Sequence, residues 1–155
     1  MINVSFHDAE SYCRWLGDRL GANVSLPTEI EWEYACRAGS RAPYWMGNSV
    51  GKGAANFSGG SVKRGDGIGV MTLPVGAFQP NPWGLFEMSG NVWEWCASMY
   101  HGGDGTGRPV RDSAPRVLRG GAWASDMDSL RSARRVGAAP TALGNRAGFR
   151  VVIRD

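Results

Sequence analysis

Apolar residues near the start of the chain recur every three or four positions, which is the spacing of one face of an α-helix. Ser5 is followed three residues later by Asp8, the pattern of a capping box, and Gly21 is typical of the left-handed residue that ends a helix. The sequence therefore predicts an amphipathic helix between Ser5 and Gly21, with a packing face at Ala9, Tyr12, Cys13, Leu16 and Leu20.

A second helix is predicted directly after Leu26-Pro27. Thr28 and Glu31 form another capping box, and Gly39 is the predicted terminator. The packing face of this helix is predicted at Trp32, Ala35 and Cys36, whereas Glu29 and Glu33 are expected to face water or a loop backbone.

No periodic pattern follows Gly39. Residues 40–69 are rich in glycine, serine and asparagine, and irregular segments of this length are uncommon in compact domains unless a function or an ion holds them. Two later segments, 116–119 and 149–153, predict strands, the second of them in the core. Two helices, few strands and long ordered loops together predict an α+β domain.

The composition supports one folded domain over residues 1–155. The chain contains 23 glycines, eight prolines and seven tryptophans, and its apolar share of 43% is that of a globular protein. The longest uncharged stretch, residues 67–78, is too short to span a bilayer, and no signal peptide is visible at the N-terminus. We therefore expect no membrane association, and a cytoplasmic location is favoured over an exported one.

Charge and cysteine content exclude several classes of function. Basic residues concentrate after residue 100, but they are arginines scattered among alanine and glycine, without a lysine cluster or an aromatic RNA-binding motif, which argues against nucleic acid. Cys13, Cys36 and Cys96 form no CxxC pair, and His7 and His101 are the only histidines. This set argues against a zinc finger, a histidine-based iron site and a Cys–His nucleophile.

Five segments carry recognisable motifs, in this order: 4–13, the Leu-Pro-Thr-Glu-Ile-Glu-Trp-Glu-Tyr-Ala run at 26–35, the Asn-Pro-Trp-Gly-Leu to Asn-Val-Trp-Glu-Trp run at 81–95, the Arg-Val-Leu-Arg-Gly-Gly-Ala-Trp segment at 116–123, and Gly-Phe-Arg-Val-Val at 148–152. Together they resemble the formylglycine-generating enzyme (sulfatase-modifying factor) family. The resemblance implies a variant of the C-type lectin fold, in which little secondary structure supports extensive ordered loops, and a domain that lacks the family's N-terminal strands.

The enzymes of this family hold a copper ion with two cysteine thiolates that follow the Gly-Gly-aromatic motif. Here the first of these positions falls on Ser125, and no cysteine exists after Cys96. Soft thiolates select Cu(I), so serine does not replace them, and no copper is expected. Cys13 and Cys36 match cysteines that form disulfides in the vertebrate-type enzymes, but the partner positions fall on Val151 and Ser132, so both are expected to be free thiols.

The resemblance also implies two calcium sites. The first would use Asn56, the carbonyl of Phe57, Asp66 and the carbonyl of Ile68, all oxygen ligands of the kind that calcium prefers. The alternative is that Asn56 and Asp66 only cap turns.

The second calcium site would use Glu87, the carbonyls of Gly90 and Val92, and Glu94. The alternative here is that Glu94 pairs with a buried arginine such as Arg150. Trp83, Trp93 and Trp95 are expected to pack in the core beside this turn.

Three functions remain open: a divergent enzyme, an accessory domain of a larger signalling protein, and a binding protein for an unknown protein or small molecule. Variable proteins of diversity-generating retroelements share the fold, and their variable residues lie between a Gly-Gly-aromatic motif and a Gly-Phe-Arg strand. By that resemblance residues 122–147 form the recognition surface. The predicted contact residues are Ala124, Ser125, Asp126, Asp128, Arg135, Val136, Thr141, Leu143 and Asn145. Arg131 is expected to pair with a buried carboxylate.

Overall fold

The computed structural model describes residues 1–60, 68–100 and 113–154. Within them, two helices and six short strands are connected by long irregular segments. In chain order the elements are α1 (Phe6–Leu20), β1 (Asn23–Ser25), α2 (Glu29–Arg37), β2 (Trp93–Met99), β3 (Arg116–Arg119), a 3₁₀ turn (Met127–Leu130), β4 (Arg135–Ala138), β5 (Ala147–Gly148) and β6 (Val152–Arg154).

Helix α1 has the predicted ends. The Ser5 hydroxyl accepts a hydrogen bond from the Asp8 backbone N–H at 3.1 Å, the Asp8 carboxylate accepts from the Ser5 N–H at 2.9 Å, and Gly21 is left-handed with φ 62°. The buried face consists of Phe6, Ala9 and Cys13. Tyr12 and Leu20, which were predicted on this face, are exposed, although the Tyr12 ring makes an edge contact with Phe149.

Helix α2 begins with the predicted capping box, in which Thr28 and Glu31 bond each other reciprocally. Its end differs by one residue, since Ala38 adopts the left-handed conformation and donates to the Tyr34 carbonyl before Gly39 is reached. Trp32 and Cys36 are buried and Ala35 is half-buried, as predicted.

The main sheet has four strands in the order β4-β3-β2-β5. Strand β3 matches its prediction, and it pairs antiparallel with β2 so that Glu94 lies opposite Arg119. The C-terminal strand was wrongly predicted to lie in the core. It is shorter, as β6, and forms a separate two-stranded sheet with β1, where Ile153 is 60% exposed.

Three apolar clusters form the core. The first packs α1 against the main sheet through Phe6, Cys13, Trp95 and Leu118. The second packs α2 against the same sheet through Trp32, Cys36, Met88, Cys96 and Val117. The third joins the long loops to the 3₁₀ turn through Tyr44, Val50, Ala55, Phe57 and Leu130. Trp95 is buried and Trp93 half-buried, but the prediction for Trp83 was wrong, because its ring lies 47% exposed against Tyr34.

Two buried asparagines, Asn56 and Asn91, hold the loops together beside the third apolar cluster. The Asn56 side chain accepts from the Gly69 N–H and donates to the Met71 carbonyl and to Asn91. The Asn91 side chain in turn bonds both backbone groups of Leu73. We call this pair the asparagine hub. No helix in the described part of the chain is long and apolar enough to cross a membrane.

Candidate functional site

Ser125 occupies the position expected for the first copper cysteine, and both its hydroxyl and its carbonyl oxygen accept hydrogen bonds. The Ser125 hydroxyl accepts a hydrogen bond from the Ala122 N–H at 3.0 Å, and the Ser125 carbonyl accepts from the Ser58 N–H at 2.8 Å. This arrangement is a backbone turn. It offers no soft donor to Cu(I).

The three cysteines of the chain are free and buried. Burial raises the pKa of the Cys36 thiol to about 11, and it raises the pKa of Cys13 and of Cys96 as well. All three are therefore thiols rather than thiolates near neutral pH, and thiolate is the form that binds metals. In the metal-free protein none of the three therefore supplies a thiolate near neutral pH.

The prediction that Cys13 and Cys36 are unpaired is confirmed. The Cys36 sulfur lies 3.5 Å from the Ser132 hydroxyl, across the second core cluster. Cys13 belongs to the first cluster, against which Val151 packs. Both expected partner positions are therefore close to their cysteines in the fold, but neither carries a sulfur.

The first predicted calcium set lies beside the asparagine hub. Asn56 is completely buried, and its side-chain and backbone oxygens accept from the N–H groups of Gly69 and Asn91 at 2.8 Å. The Phe57 carbonyl accepts from the Gly60 N–H at 3.0 Å, and Ile68 follows in the same region. Asp66, the only carboxylate of the set, lies outside the described residues. Without it the set has the contacts of a loop junction, and calcium at this place stays a prediction.

The second predicted calcium set surrounds a cavity of about 510 Å³, which Glu87, Gly90, Val92 and Glu94 all line. Arg150 donates to both oxygens of the Glu94 carboxylate, at 2.5 and 2.7 Å, and the Trp32 indole donates to one of them at 2.6 Å. This is the arginine pairing that was the alternative to calcium. Calcium here stays a prediction without a supporting contact, because Glu94 already has a cation.

The predicted recognition surface is only partly exposed. Ala124, Ser125, Arg135 and Val136 are half-buried, and completely buried residues such as Leu130 and Ser132 lie between the contact positions. The exposed contact residues are Asp126, Asp128, Thr141, Leu143 and Asn145.

A strand lies inside the segment that was predicted to be a recognition loop. Arg135 and Val136 belong to β4, which pairs with β3 over four residues. Val136 packs against the first core cluster, and Arg135 forms an ion pair with Glu29 at 2.7 Å. These two side chains therefore support the surface as well as contribute to it.

Arg119 is the structural residue that the sequence did not reveal. It is 1% exposed and donates to the carbonyls of Ser132, Ala133 and Arg134. It also pairs with Glu33 and lies 3.4 Å from Glu29, so the expectation that these carboxylates face water or a loop backbone was wrong.

Arg131 does not reach a buried carboxylate. It lies at the surface and pairs with exposed Asp128, three residues before it. Arg119, which is itself buried, pairs instead with the half-buried carboxylates Glu29 and Glu33.

Comparison with known proteins places the whole chain in one group. A family model described as the sulfatase-modifying factor enzyme 1-like domain matches residues 1–155. The Bos taurus protein named inactive C-alpha-formylglycine-generating enzyme 2 is 37% identical over 162 residues, which are 97% of this chain and 48% of that protein. The serine/threonine-protein kinase pkn1 of Chlamydia pneumoniae is 38% identical over 160 residues, which are 97% of this chain and 23% of the kinase. The chain thus spans about half of the first relative and about a quarter of the second.

Among solved structures, Treponema denticola variable protein 1 superposes with a TM-score of 0.77 at 25% identity, over 100% of this chain and 71% of that one. The predicted α+β fold of the C-type-lectin-like kind, with two helices and curled sheets, is confirmed by this likeness.

Proposed function

The chain belongs to the sulfatase-modifying factor family, the family of the formylglycine-generating enzymes, and from this premise we propose that it is a non-catalytic binding domain. Its recognition surface consists of the exposed side chains between residues 122 and 147. Its ligand is a protein or a small molecule, and calcium bound with Asp66 stabilises the loop at Asn56.

The observation that carries this proposal is the alternation of exposed and buried residues along that segment. Asp126, Asp128, Thr141, Leu143 and Asn145 are exposed, whereas Leu130, Ser132 and Pro140 between them are buried. Backbone bonds from Asn3 to Gly144 and from Phe6 to Pro140 fix the second half of the segment to the N-terminus. Binding residues are commonly found on loops positioned in this way by a rigid scaffold.

The cysteine chemistry supports the absence of copper-dependent catalysis. Ser125 supplies no thiolate, and the three cysteines of the chain are buried in the apolar core clusters. We expect the purified domain neither to bind Cu(I) tightly nor to convert the cysteine of a sulfatase-type peptide to formylglycine. Mass spectrometry of the peptide after incubation with copper and oxygen tests this, and detectable turnover contradicts it.

A displayed library tests the recognition surface directly. Asp128, Thr141, Leu143 and Asn145 are randomised together, and in a matched library Leu130, Ser132, Arg119 and Val117 are randomised, all of which are buried. We expect most clones of the first library to resist protease and some to bind a test protein such as hen lysozyme, while the second library loses protease resistance. If most clones of the first library unfold, residues 122–147 are scaffold and the proposal fails.

The genomic locus separates the retroelement interpretation from the signalling one. A nearby reverse transcriptase gene and an imperfect repeat of the 3′ end support a variable protein like the Treponema one. The chlamydial relative, a kinase of which the chain matches 23%, favours an accessory domain instead. An open reading frame continuous with a kinase domain supports that second function.

A further inference from the structure

The cavity of about 510 Å³ beside the turn at residues 87–94 has the size of a small-molecule site. Its polar lining includes Glu87, Glu94 and Arg150 at one side. Its remaining wall is largely apolar and includes Leu73, Val75, Leu85, Phe86 and Phe149. This cavity is separate from the recognition surface proposed above, because it is lined by none of the residues between 122 and 147.

The charges in the cavity do not cancel. Arg150 and Glu94 neutralise each other through two hydrogen bonds of 2.5 and 2.7 Å. Glu87 has no such partner: within residues 1–60, 68–100 and 113–154, no ion pair joins its carboxylate to a lysine, arginine or histidine. Arg150 is attracted electrostatically by Glu87 as well as by Glu94, and the three charged side chains of the lining together carry one negative charge.

The backbone at Glu87 is held in a conformation that glutamate rarely adopts. Its φ angle is 51°, in the left-handed region, which is unfavourable for a residue with a side chain. Its carboxylate is fixed in turn by the Gly76 N–H, which lies 2.9 and 3.0 Å from the two oxygens. Strain of this kind is concentrated at binding sites, where it positions a functional side chain.

We propose that this cavity binds a small organic cation with an apolar body, of the type of a primary alkylammonium. Its charged head pairs with Glu87 and its hydrocarbon part lies against Leu73, Leu85 and Phe149. An inorganic divalent ion fits less well, because calcium takes six to eight oxygen ligands and both oxygens of Glu94 are already bonded by Arg150. An anion fits less well, because Arg150 is already neutralised.

Three probes of the same length test the charge preference. Hexylammonium, hexanol and hexanoate are titrated into the ¹⁵N-labelled chain, and the amides of Gly76, Leu85 and Val92 report binding by chemical shift. We expect hexylammonium to bind about fivefold more tightly than hexanol, and hexanoate to bind more weakly than both. Equal affinity for hexanoate and hexylammonium, or binding of none of the three, overturns the proposal.

The variants Glu87→Gln and Phe86→Ala separate the two parts of the site. Gln keeps an acceptor for the Gly76 N–H but removes the charge, so it is expected to reduce hexylammonium affinity about fivefold and to leave hexanol unchanged. Phe86→Ala removes wall area and is expected to weaken both. Glu10→Gln is the matched control, since Glu10 lies on α1. If Glu87→Gln leaves hexylammonium affinity unchanged, the charge pairing is wrong.

The proposal for the recognition surface and the proposal for the cavity are tested independently. A variant with alanine at Asp128, Thr141, Leu143 and Asn145 is expected to bind hexylammonium as the wild type does. Calcium is a further arm of the titration. If calcium shifts the amide signals of Gly76, Leu85 and Val92 and hexylammonium does not, the cavity binds a metal ion and the proposal is overturned.

Discussion

Ser132 lies across the second core cluster from Cys36, with 3.5 Å between its hydroxyl oxygen and the Cys36 sulfur. Both residues are completely buried. A cysteine at 132 therefore places two sulfurs within reach of a small shift. The cross-link would close a segment of almost a hundred residues, and long closed loops are those for which a disulfide is expected to stabilise most.

We predict that Ser132→Cys forms a disulfide with Cys36 when the chain is refolded under oxidising conditions. Refolding is needed because burial raises the pKa of Cys36 to about 11, so the native thiol reacts slowly at neutral pH. The gain in free energy of unfolding is expected to be at most about 4 kcal/mol, measured by urea denaturation.

Ser132→Ala is the matched control for this disulfide. It removes the hydroxyl and cannot be cross-linked, and it is expected to show no gain under oxidising conditions. A reductant added to the oxidised Ser132→Cys variant is expected to remove the gain. If the oxidised variant is no more stable than the reduced one, the native geometry at this position is strained by the bond.

At the scale of helices and strands, the sequence predicted the elements whose ends are determined by residues a few positions apart. The caps at Ser5 and Thr28 determine where α1 and α2 begin, because each cap bonds a residue three positions away. Strand β4 was not predicted, since Arg-Val-Gly-Ala is extended only because it pairs with β3. The central strand β2 was missed for the same reason: its neighbours in the sheet lie more than fifteen residues away in the sequence.

Arg119 connects α2 to the segment that precedes β4, which is too far away in the sequence for a local pattern to predict the contact. It pairs with Glu33 of α2, which is 86 residues distant in the sequence, and bonds three carbonyls that precede β4. We predict that Arg119→Leu lowers the free energy of unfolding by about 3–5 kcal/mol, because three carbonyls lose their buried donor. Glu29 and Glu33 keep Arg135 and Arg37 as partners. Thermal and urea denaturation measure this loss.

Arg131→Leu is the control for Arg119, since its ion pair with Asp128 is exposed. Its effect is expected to stay within about 1 kcal/mol. Arg119→Lys is expected to recover only part of the loss, because one ammonium group cannot span the same set of acceptors. Equal effects of Arg119→Leu and Arg131→Leu contradict the role given to Arg119.

At the scale of the whole molecule, the long loops are ordered without a large apolar core of their own. The asparagine hub bonds the segments at 69–73 to those at 56 and 91, and Gly90 lies so close to the Asn56 carbonyl that a side chain at 90 has no room. Long ordered loops were predicted from the sequence, but the hydrogen bonds that order them join residues 35 positions apart and have no local signal.

The carboxylates of the two predicted calcium sites differ in their other partners, so calcium is expected to affect them differently. If Asp66 binds calcium together with the Asn56 loop, added calcium raises the free energy of unfolding by mass action, by about 2.7 kcal/mol at a hundredfold excess over Kd. The melting temperature rises accordingly. Asp66→Ala is expected to abolish this gain. Glu94, by contrast, is buried against Arg150 and Trp32, so Glu94→Gln is expected to lower the melting temperature equally in calcium and in chelator. A smaller calcium gain in Glu94→Gln than in the wild type places the ion at Glu94 instead, and an unchanged melting temperature of the wild type in chelator removes calcium from both sites.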